Sequence, residues 1–106
     1  MEATLKAIAA PHRRRILSLV RDGELSAGEI AAHFDVTRPA VSQHLNVLKE
    51  AGLVSERRNG TKRLYRARPE GLNEVKAFLA EFWDERLEVL KREAEREERK
   101  KRGTDS

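Results

Sequence analysis

Apolar residues recur every three or four positions along the first part of the chain, the spacing that places them on one face of an α-helix. Pro11 interrupts this spacing and Asp22-Gly23 ends it, so two short helices are predicted before that dipeptide. Ser26 and Glu29 then form the S-x-x-E pattern of a capping box, in which each residue satisfies a free backbone N–H of the other. A third short helix is therefore predicted from this box to about Phe34.

A fourth helix is predicted directly after a turn at Asp35-Val36. Thr37 is a favourable N-cap residue, and Pro39 is tolerated in the first turn because amides there lack an intrahelical partner. We expect this helix to end at Ala51, where Gly52 can adopt the left-handed conformation of a helix C-cap.

A β-hairpin and a long helix are predicted next. Asn59-Gly60 lies between two runs of strand-forming residues, and this dipeptide is the strongest short-range hairpin signal. From Pro69 onward, apolar residues again recur at threes and fours: Leu72, Val75, Phe78, Leu79, Phe82, Trp83, Leu87, Leu90 and Ala94. The segment after Leu90 is almost wholly charged, so we expect a helical extension that frays into a disordered tail.

These elements predict a mainly α protein with a small β-hairpin, in the order of a winged helix-turn-helix with about five helices and a wing. Residues 1–90 are expected to form one DNA-binding and dimerisation domain, and residues 91–106 the charged extension. In such a domain the helix after the turn enters the major groove, and the hairpin lies along the neighbouring DNA backbone.

Charge is distributed unevenly along the chain, whose net charge is +4. Residues 1–69 carry 13 Lys/Arg and 7 Asp/Glu, whereas residues 70–106 carry 9 and 11, so the first part is suited to a polyanion. Hydrophobic residues make up 39% of the chain, which predicts a small core that would profit from a partner subunit. With no cysteine and no apolar run near the roughly 20 residues that cross a bilayer, a cytoplasmic protein without a membrane partner is expected.

The fourth helix divides into an apolar face, with Val41, Leu45 and Leu48, and a polar face. Gln43 and Asn46 can each form two hydrogen bonds to an adenine edge. The candidate DNA-binding residues of this helix are Thr37, Arg38, Pro39, Ser42, Gln43 and Asn46. The wing residues expected to contact phosphates are Arg57, Arg58, Lys62, Arg63 and Arg66.

Three other hypotheses are open at this point. A polar helix face is most often simply solvated, and the first alternative is a protein-interaction module that retains the winged helix without using it and binds another protein through the amphipathic last helix. A sequence-neutral nucleic-acid-binding module is the second alternative, although Tyr65 is the only aromatic residue near the basic hairpin and base stacking needs more. An enzyme is the third, and the sequence offers it no cysteine nucleophile, Gly-rich phosphate loop or recognisable carboxylate pair.

The motif SQHLNVLKEAGLV, followed by RRNGTKRLYR, resembles the signature of the ArsR/SmtB family of bacterial repressors, and AIAAPHRRRIL resembles that family's opening helices. The resemblance implies a homodimeric winged-helix repressor that binds double-stranded operator DNA, with the first and last helices at the dimer interface. Some apolar residues of the last helix would also complete the monomer's own core. The expected interface residues are Leu5, Ile8, Leu79, Phe82, Trp83, Leu87 and Leu90.

Metal-sensing members of that family carry ELCVCDL where this chain has ELSAGEI, with Ser26 and Gly28 in place of both thiolates. The last helix, which supplies ligands in the other common metal site, contains no histidine, so we predict no metal site and no cofactor. This helix resembles that of a family subgroup without metal ligands, which leaves a small molecule, a protein or the repressor's own concentration as the signal. His44 is expected to pack and hydrogen-bond rather than to contact a base.

Overall fold

A computed structural model describes the backbone of residues 1–104 and the side chains of residues 1–84 and 86–98. The elements are α1 (Glu2–Ala9), α2 (Pro11–Leu19), β1 (Leu25–Ser26), α3 (Ala27–Ala31), α4 (Arg38–Glu50), β2 (Val54–Asn59), β3 (Lys62–Ala67), a 3-10 turn (Pro69–Leu72) and α5 (Asn73–Thr104). The five helices and the hairpin follow the predicted order, whereas β1 and the 3-10 turn are additional. This order is that of a winged helix-turn-helix, in which α3 and α4 flank the turn and β2–β3 form the wing.

Side-chain caps start both helices of the helix-turn-helix, as predicted. The Ser26 hydroxyl accepts from the Glu29 N–H at 3.1 Å, and the Glu29 carboxylate accepts from the Ser26 N–H at 3.1 Å. These two bonds lower the pKa of Glu29 below its ordinary value. The Thr37 hydroxyl likewise accepts from the Ala40 N–H at 3.3 Å, so α4 begins at the predicted residue.

Two predicted boundaries were wrong by a few residues. α3 ends at Ala31 rather than near Phe34, because the N–H groups of His33 and Phe34 bond three residues back instead of four, which tightens the chain into a turn. In the wing, Asn59 pairs with Lys62, so the two-residue loop is Gly60-Thr61 and not Asn59-Gly60. Gly60 has φ +65° and no other wing residue has a positive φ, which is the pattern of a type II′ turn.

A third strand, β1, was not predicted. Leu25 and Ser26 pair antiparallel with Tyr65 and Leu64, which makes a three-stranded sheet in the order β1-β3-β2. β1 is only two residues long, so it leaves no alternating pattern in the sequence. Ser26 is both the end of this strand and the cap of α3, and the chain therefore passes from the sheet into the helix-turn-helix without a loop.

The core is one cluster that joins α1, α2, α3, α4 and the sheet. Val41, Leu45 and Leu48 of α4 are at most 1% exposed within it. The other buried members are Ala7, Ile16, Val20, Ile30, Leu53, Val54 and Tyr65. Burial of a large aliphatic side chain contributes about 1.5–3 kcal/mol, so this cluster determines which face of α4 is turned inward.

The chain divides into two compact units, residues 1–75 and a second unit that begins at Lys76 and consists of α5. No helix in the described part of the chain is both long and apolar enough to cross a membrane. The predicted end of the functional domain at Leu90 stays a prediction. The prediction of a frayed tail falls partly on residues 105–106, which lie outside the described residues.

The end of α4 packs closely on the 3-10 turn that follows the wing. Gly52 has φ +75° and forms the predicted left-handed C-cap. Its carbonyl oxygen lies against Gly71 so closely that a Cβ on Gly71 would overlap it, and the Leu53 side chain closes the same space. Gly71 is therefore required by a close backbone approach.

A hydrogen bond joins α2 to α4. Arg13 Nη1 lies 3.2 Å from His44 Nδ1, and the same guanidinium donates to the carbonyls of Ala7 at 2.6 Å and Lys6 at 3.0 Å. Because a guanidinium only donates, Nδ1 of His44 must be unprotonated. The His44 ring also stacks on His12 with 5.7 Å between ring centroids, so His44 packs and hydrogen-bonds as expected. Burial, followed by the charge of Arg13 and of His12, lowers the pKa of His44 below its ordinary value.

Replacing Gly71 with alanine tests the close approach to Gly52. We expect Gly71→Ala to lower the free energy of unfolding by about 1–3 kcal/mol, because the new methyl group meets a backbone oxygen that cannot rotate away. Gly23→Ala is the matched control, since a Cβ there meets nothing within 4 Å. Urea unfolding followed by circular dichroism measures both, and equal midpoints for the two variants would contradict the prediction.

The lowered pKa of His44 predicts that acid destabilises the fold. The folded state binds this proton less readily than the unfolded chain, so the stabilisation is complete above the ordinary pKa of about 6.5 and is lost as the pH falls below it. Asparagine can retain an acceptor near Nδ1 without titrating, and His44→Asn should therefore show a shallower loss of stability between pH 7.5 and 5. The measurement is the urea midpoint at each pH.

The control for this experiment is His33→Asn. The structure describes no side-chain hydrogen bond or ring contact for His33. This variant should keep the pH dependence of the natural protein. A His44→Asn variant that also keeps it would show that His44 does not cause the acid sensitivity.

Candidate nucleic-acid interface

The two faces of α4 are separated as predicted. Thr37, Arg38, Pro39, Ser42, Gln43 and Asn46 are all exposed, whereas Val41, Leu45 and Leu48 are buried. The six polar-face residues therefore form one continuous solvent-facing surface on the helix that follows the turn. The first turn of α4, which carries Arg38 and Pro39, is held by the Thr37 cap.

A polar groove of about 580 Å³ runs between α3, the exposed side of α4 and the wing. It is lined by Ser26, Ala27, Gly28, Arg38, Ser42, Asn46, Thr61, Lys62, Arg63 and Tyr65. The groove brings three candidate residues of α4 together with two candidate residues of the wing. The other candidates, Thr37, Pro39, Gln43, Arg57, Arg58 and Arg66, do not line it.

The strand register divides the basic wing residues between two faces. Side chains alternate along a strand, so Glu56 and Arg58 share a face with Arg63 and Tyr65, and we call this the Tyr65 face. Arg58 and Arg63 are directly opposite each other on it, and two like charges in that position repel. The opposite face of the wing carries Arg57 and Arg66.

A glutamate lies beside the cations on each face of the wing. Glu24, just before β1, accepts from Arg57 Nε at 2.9 Å and from Arg57 Nη2 at 3.2 Å. The hydrogen bond from Arg57 is the main reason that the pKa of Glu24 is lowered, and the positive charge of Arg66 adds to it. The same pair raises the pKa of Arg57.

Glu56 is the glutamate of the Tyr65 face. Its carboxylate accepts from Lys49 Nζ in the last turn of α4 at 2.9 Å and lies 3.3 Å from Arg63 Nε on β3. The Glu56 side chain is only 16% exposed, against 52% for Lys49 and 59% for Arg63. The hydrogen bond from Lys49 lowers the pKa of Glu56 most, followed by the charges of Lys49, Arg63 and Arg58.

The five candidate phosphate-binding residues therefore differ in their surroundings. All five are exposed, but Arg57 and Arg63 are held in ion pairs with Glu24 and Glu56. For Arg58, Lys62 and Arg66, the structure gives no ion pair with any side chain that it describes.

Several residues that shape this surface were missed by the sequence analysis: Arg13, Glu24, Lys49 and Glu56. Arg13 and Glu24 act on residues 31 and 33 positions away, and no local spacing could have indicated those pairs. The one available signal was a glutamate at position 56 inside an otherwise basic hairpin. The sequence showed the negative charge of Glu56, but it did not show that Glu56 contacts α4.

The residues predicted for a dimer interface are placed differently in the two units. In residues 1–75, Leu5 is 45% exposed, whereas Ile8 is partly buried against the core. On α5, Leu79, Phe82, Trp83, Leu87 and Leu90 are 46–61% exposed and lie along one side of the helix. Phe78 contacts Phe82 edge to face with 5.2 Å between ring centroids.

At the two positions where metal-sensing ArsR/SmtB proteins carry cysteines, this chain has Ser26 and Gly28. The Ser26 hydroxyl is engaged in the cap of α3, and the side chain of Arg38 lies beside Gly28. Among the residues that the structure describes, no three His, Asp or Glu side chains are grouped as metal ligands. The absence of a regulatory metal stays a prediction.

The known proteins that this chain resembles are named as transcriptional regulators or repressors. The sequence pattern of the family described as "Bacterial regulatory protein, arsR family" matches residues 10–56. The HTH-type transcriptional regulator Rv2034 of Mycobacterium tuberculosis is 45% identical over 82 residues, which is 77% of each chain. The transcriptional repressor SdpR of Bacillus subtilis is 47% identical over 60 residues, 57% of this chain and 67% of SdpR.

Among solved structures, an ArsR-like transcriptional regulator from Rhodococcus sp. RHA1 superposes with a TM-score of 0.72. It is 32% identical in sequence, and the match covers 89% of each chain. The chain belongs to the arsR family of bacterial regulatory proteins.

Proposed function

We propose that this protein is a transcriptional repressor that binds an inverted-repeat operator as a homodimer, with α4 in the major groove and the wing on the adjacent backbone. The observation that carries the proposal is the groove in which Arg38, Ser42 and Asn46 of α4 face Lys62 and Arg63 of the wing. Relatives named as transcriptional regulators and repressors support the same conclusion. Repression follows if a protein at the operator blocks access to the promoter.

Base recognition is assigned to the exposed face of α4. Gln43 and Asn46 can each donate to and accept from an adenine edge, and Arg38 at the start of the helix can reach a guanine or a phosphate. Ser42 has a short side chain that can hydrogen-bond to a base or to a phosphate. Burial of the opposite face holds this surface at one rotation about the helix axis, which base readout requires.

Backbone binding is assigned mainly to the wing. Arg58, Lys62 and Arg66 are exposed cations outside the described ion pairs, so each is available to a phosphate. Arg57 and Arg63 must share their charge with Glu24 and Glu56, and we expect each of them to contribute less. The salt dependence of DNA binding should therefore come more from Arg58, Lys62 and Arg66 than from Arg57 and Arg63.

The dimer is assigned to apolar surface on α1 and α5. α5 leaves seven large apolar residues about half exposed or more, five of them along one side, which is unusual for a helix that functions alone in water. A two-fold dimer would cover this surface on both copies, and two-fold symmetry is what a helix-turn-helix protein needs to contact two half-sites one DNA turn apart. A small-molecule or protein effector of this dimer would regulate its binding to the operator.

A selection from random DNA, followed by two classes of variant, tests base readout. Gln43→Ala or Asn46→Ala should cost about 1–3 kcal/mol of binding to the selected operator and relax base preference at one position in each half-site. Arg58→Ala should weaken operator and scrambled DNA by a similar factor and reduce the salt slope by about 1. Fluorescence anisotropy at several salt concentrations gives both quantities.

The alternatives give different results in that experiment. A sequence-neutral nucleic-acid-binding module would bind operator and scrambled DNA equally at physiological salt. A protein-interaction module would bind neither tightly. Recovery of a motif without two-fold symmetry would contradict the dimeric arrangement on DNA.

A charge on the apolar side of α5 tests the dimer. We expect Leu79→Lys to shift the protein from dimer to monomer and to weaken operator binding at least tenfold, because each copy would place a cation in the interface. Ala77→Lys is the matched control, because Ala77 is exposed and lies on the opposite side of the same helix. Sedimentation equilibrium measures the dimer, and an unchanged dimer in Leu79→Lys would exclude this face from the interface.

A further inference from the structure

We infer that Glu56 is a positioning residue that sets sequence discrimination, by holding the last turn of α4 to the wing and by lowering the affinity of the wing for DNA of any sequence. The inference rests on the proposed function, because it concerns how α4 and the wing act together on one operator. Neither effect involves a direct contact of Glu56 with a base.

Glu56 contacts residues of two other elements. Glu56 belongs to β2, its 2.9 Å partner Lys49 belongs to α4, and its 3.3 Å partner Arg63 belongs to β3. One carboxylate therefore joins three elements. At 16% exposure it is better shielded from solvent than either cation, so this pair is screened less than an ordinary surface ion pair.

Glu56 also offsets positive charge on the wing. Glu56 is the one carboxylate that forms a described ion pair with Lys49 or Arg63, and the charge of Arg58 also acts on it, so without Glu56 these three cations would lose that compensation. Arg58 and Arg63, directly opposite each other, would then repel without compensation. Glu56 reduces the positive charge of this part of the surface and provides the group that orders it.

The Glu56 carboxylate affects the affinity for DNA and the specificity for the operator differently. Phosphates carry no sequence information, so a carboxylate near them weakens binding to every DNA by about the same factor. A fixed angle between α4 and the wing helps only where the base edges match, because both elements must then fit the duplex together. Glu56 therefore raises the ratio of operator affinity to scrambled-DNA affinity.

Glu24 provides an internal comparison. It also neutralises a wing arginine, through two hydrogen bonds to Arg57, and its side chain is 29% exposed. The described contacts of Glu24 include no residue of α4. Removal of the Glu24 charge should thus raise affinity for all DNA, whereas removal of the Glu56 charge should also remove the ion pair between the last turn of α4 and the wing.

The experiment compares Glu56→Gln with Glu24→Gln in the full chain, using the selected operator and a scrambled duplex over a range of salt concentrations. For Glu56→Gln we expect tighter binding to scrambled DNA, a salt slope steeper by about 1, and an operator-to-scrambled ratio lowered about threefold to fivefold. For Glu24→Gln we expect both DNAs to bind more tightly by the same factor, with the ratio unchanged. A loss of structure alone would weaken both DNAs and would not steepen the slope.

Lys49→Gln is a second variant, at a position where the side chain is 52% exposed. It removes the link between α4 and the wing but leaves Glu56 with Arg63, so the ratio should fall without tighter binding to scrambled DNA. Thermal unfolding of each variant verifies the fold. A Glu56→Gln variant that changes both DNAs by one factor, or a Lys49→Gln variant with the original ratio, would overturn the inference. Equal binding of both DNAs by the natural protein would overturn the proposed function itself, and this inference with it.

Discussion

Burial of Val41, Leu45 and Leu48 in the core determines the rotation of α4 about its own axis, and the candidate interface depends on that rotation. If these three side chains were not inside, Ser42 and Asn46 would not face the groove that α4 shares with the wing. Truncation of Leu45 or Leu48 to alanine would cost about 2–5 kcal/mol, a large part of the stability of a small domain. The same interaction therefore holds the fold together and orients the polar face of the helix.

Other contacts then fix α4 at its two ends and along its side. The Thr37 cap holds the first turn, and the bond between Arg13 and His44 ties the side of the helix to α2. At the far end, Gly52 reverses the chain against Gly71, and Glu56 joins Lys49 to the wing. Most of these contacts are polar, because the helix is exposed along one whole side and has little further apolar surface to bury.

The distribution of carboxylates changes how the basic wing is understood. Five exposed cations suggest a uniformly positive surface, yet Glu24 and Glu56 each neutralise part of it. A polyanion would meet three cations outside these pairs, together with a surface whose geometry the two pairs maintain. Such an arrangement favours binding that depends on fit rather than on charge alone.

The sequence by itself determined the features that depend on neighbours within about four residues. The capping box at Ser26, the N-cap at Thr37, the left-handed Gly52 and the two faces of α4 all belong to this group, because backbone geometry and helical spacing are local properties. The order of the elements and the family resemblance followed from them. The long apolar stripe of α5 was likewise visible in the sequence, although its partner was not.

Tertiary structure alone decided the features that depend on distant residues. β1 forms because it can pair with the edge of β3. The hairpin loop lies one residue later than predicted because Asn59 pairs with Lys62. α3 is shorter than predicted because the amides that follow it bond three residues back. The partners of Arg57 and His44 lie 33 and 31 positions away, and no periodic pattern connects residues at such separations. Charge can be counted in a sequence, but which charges neutralise one another is determined only when the chain brings them within hydrogen-bonding distance.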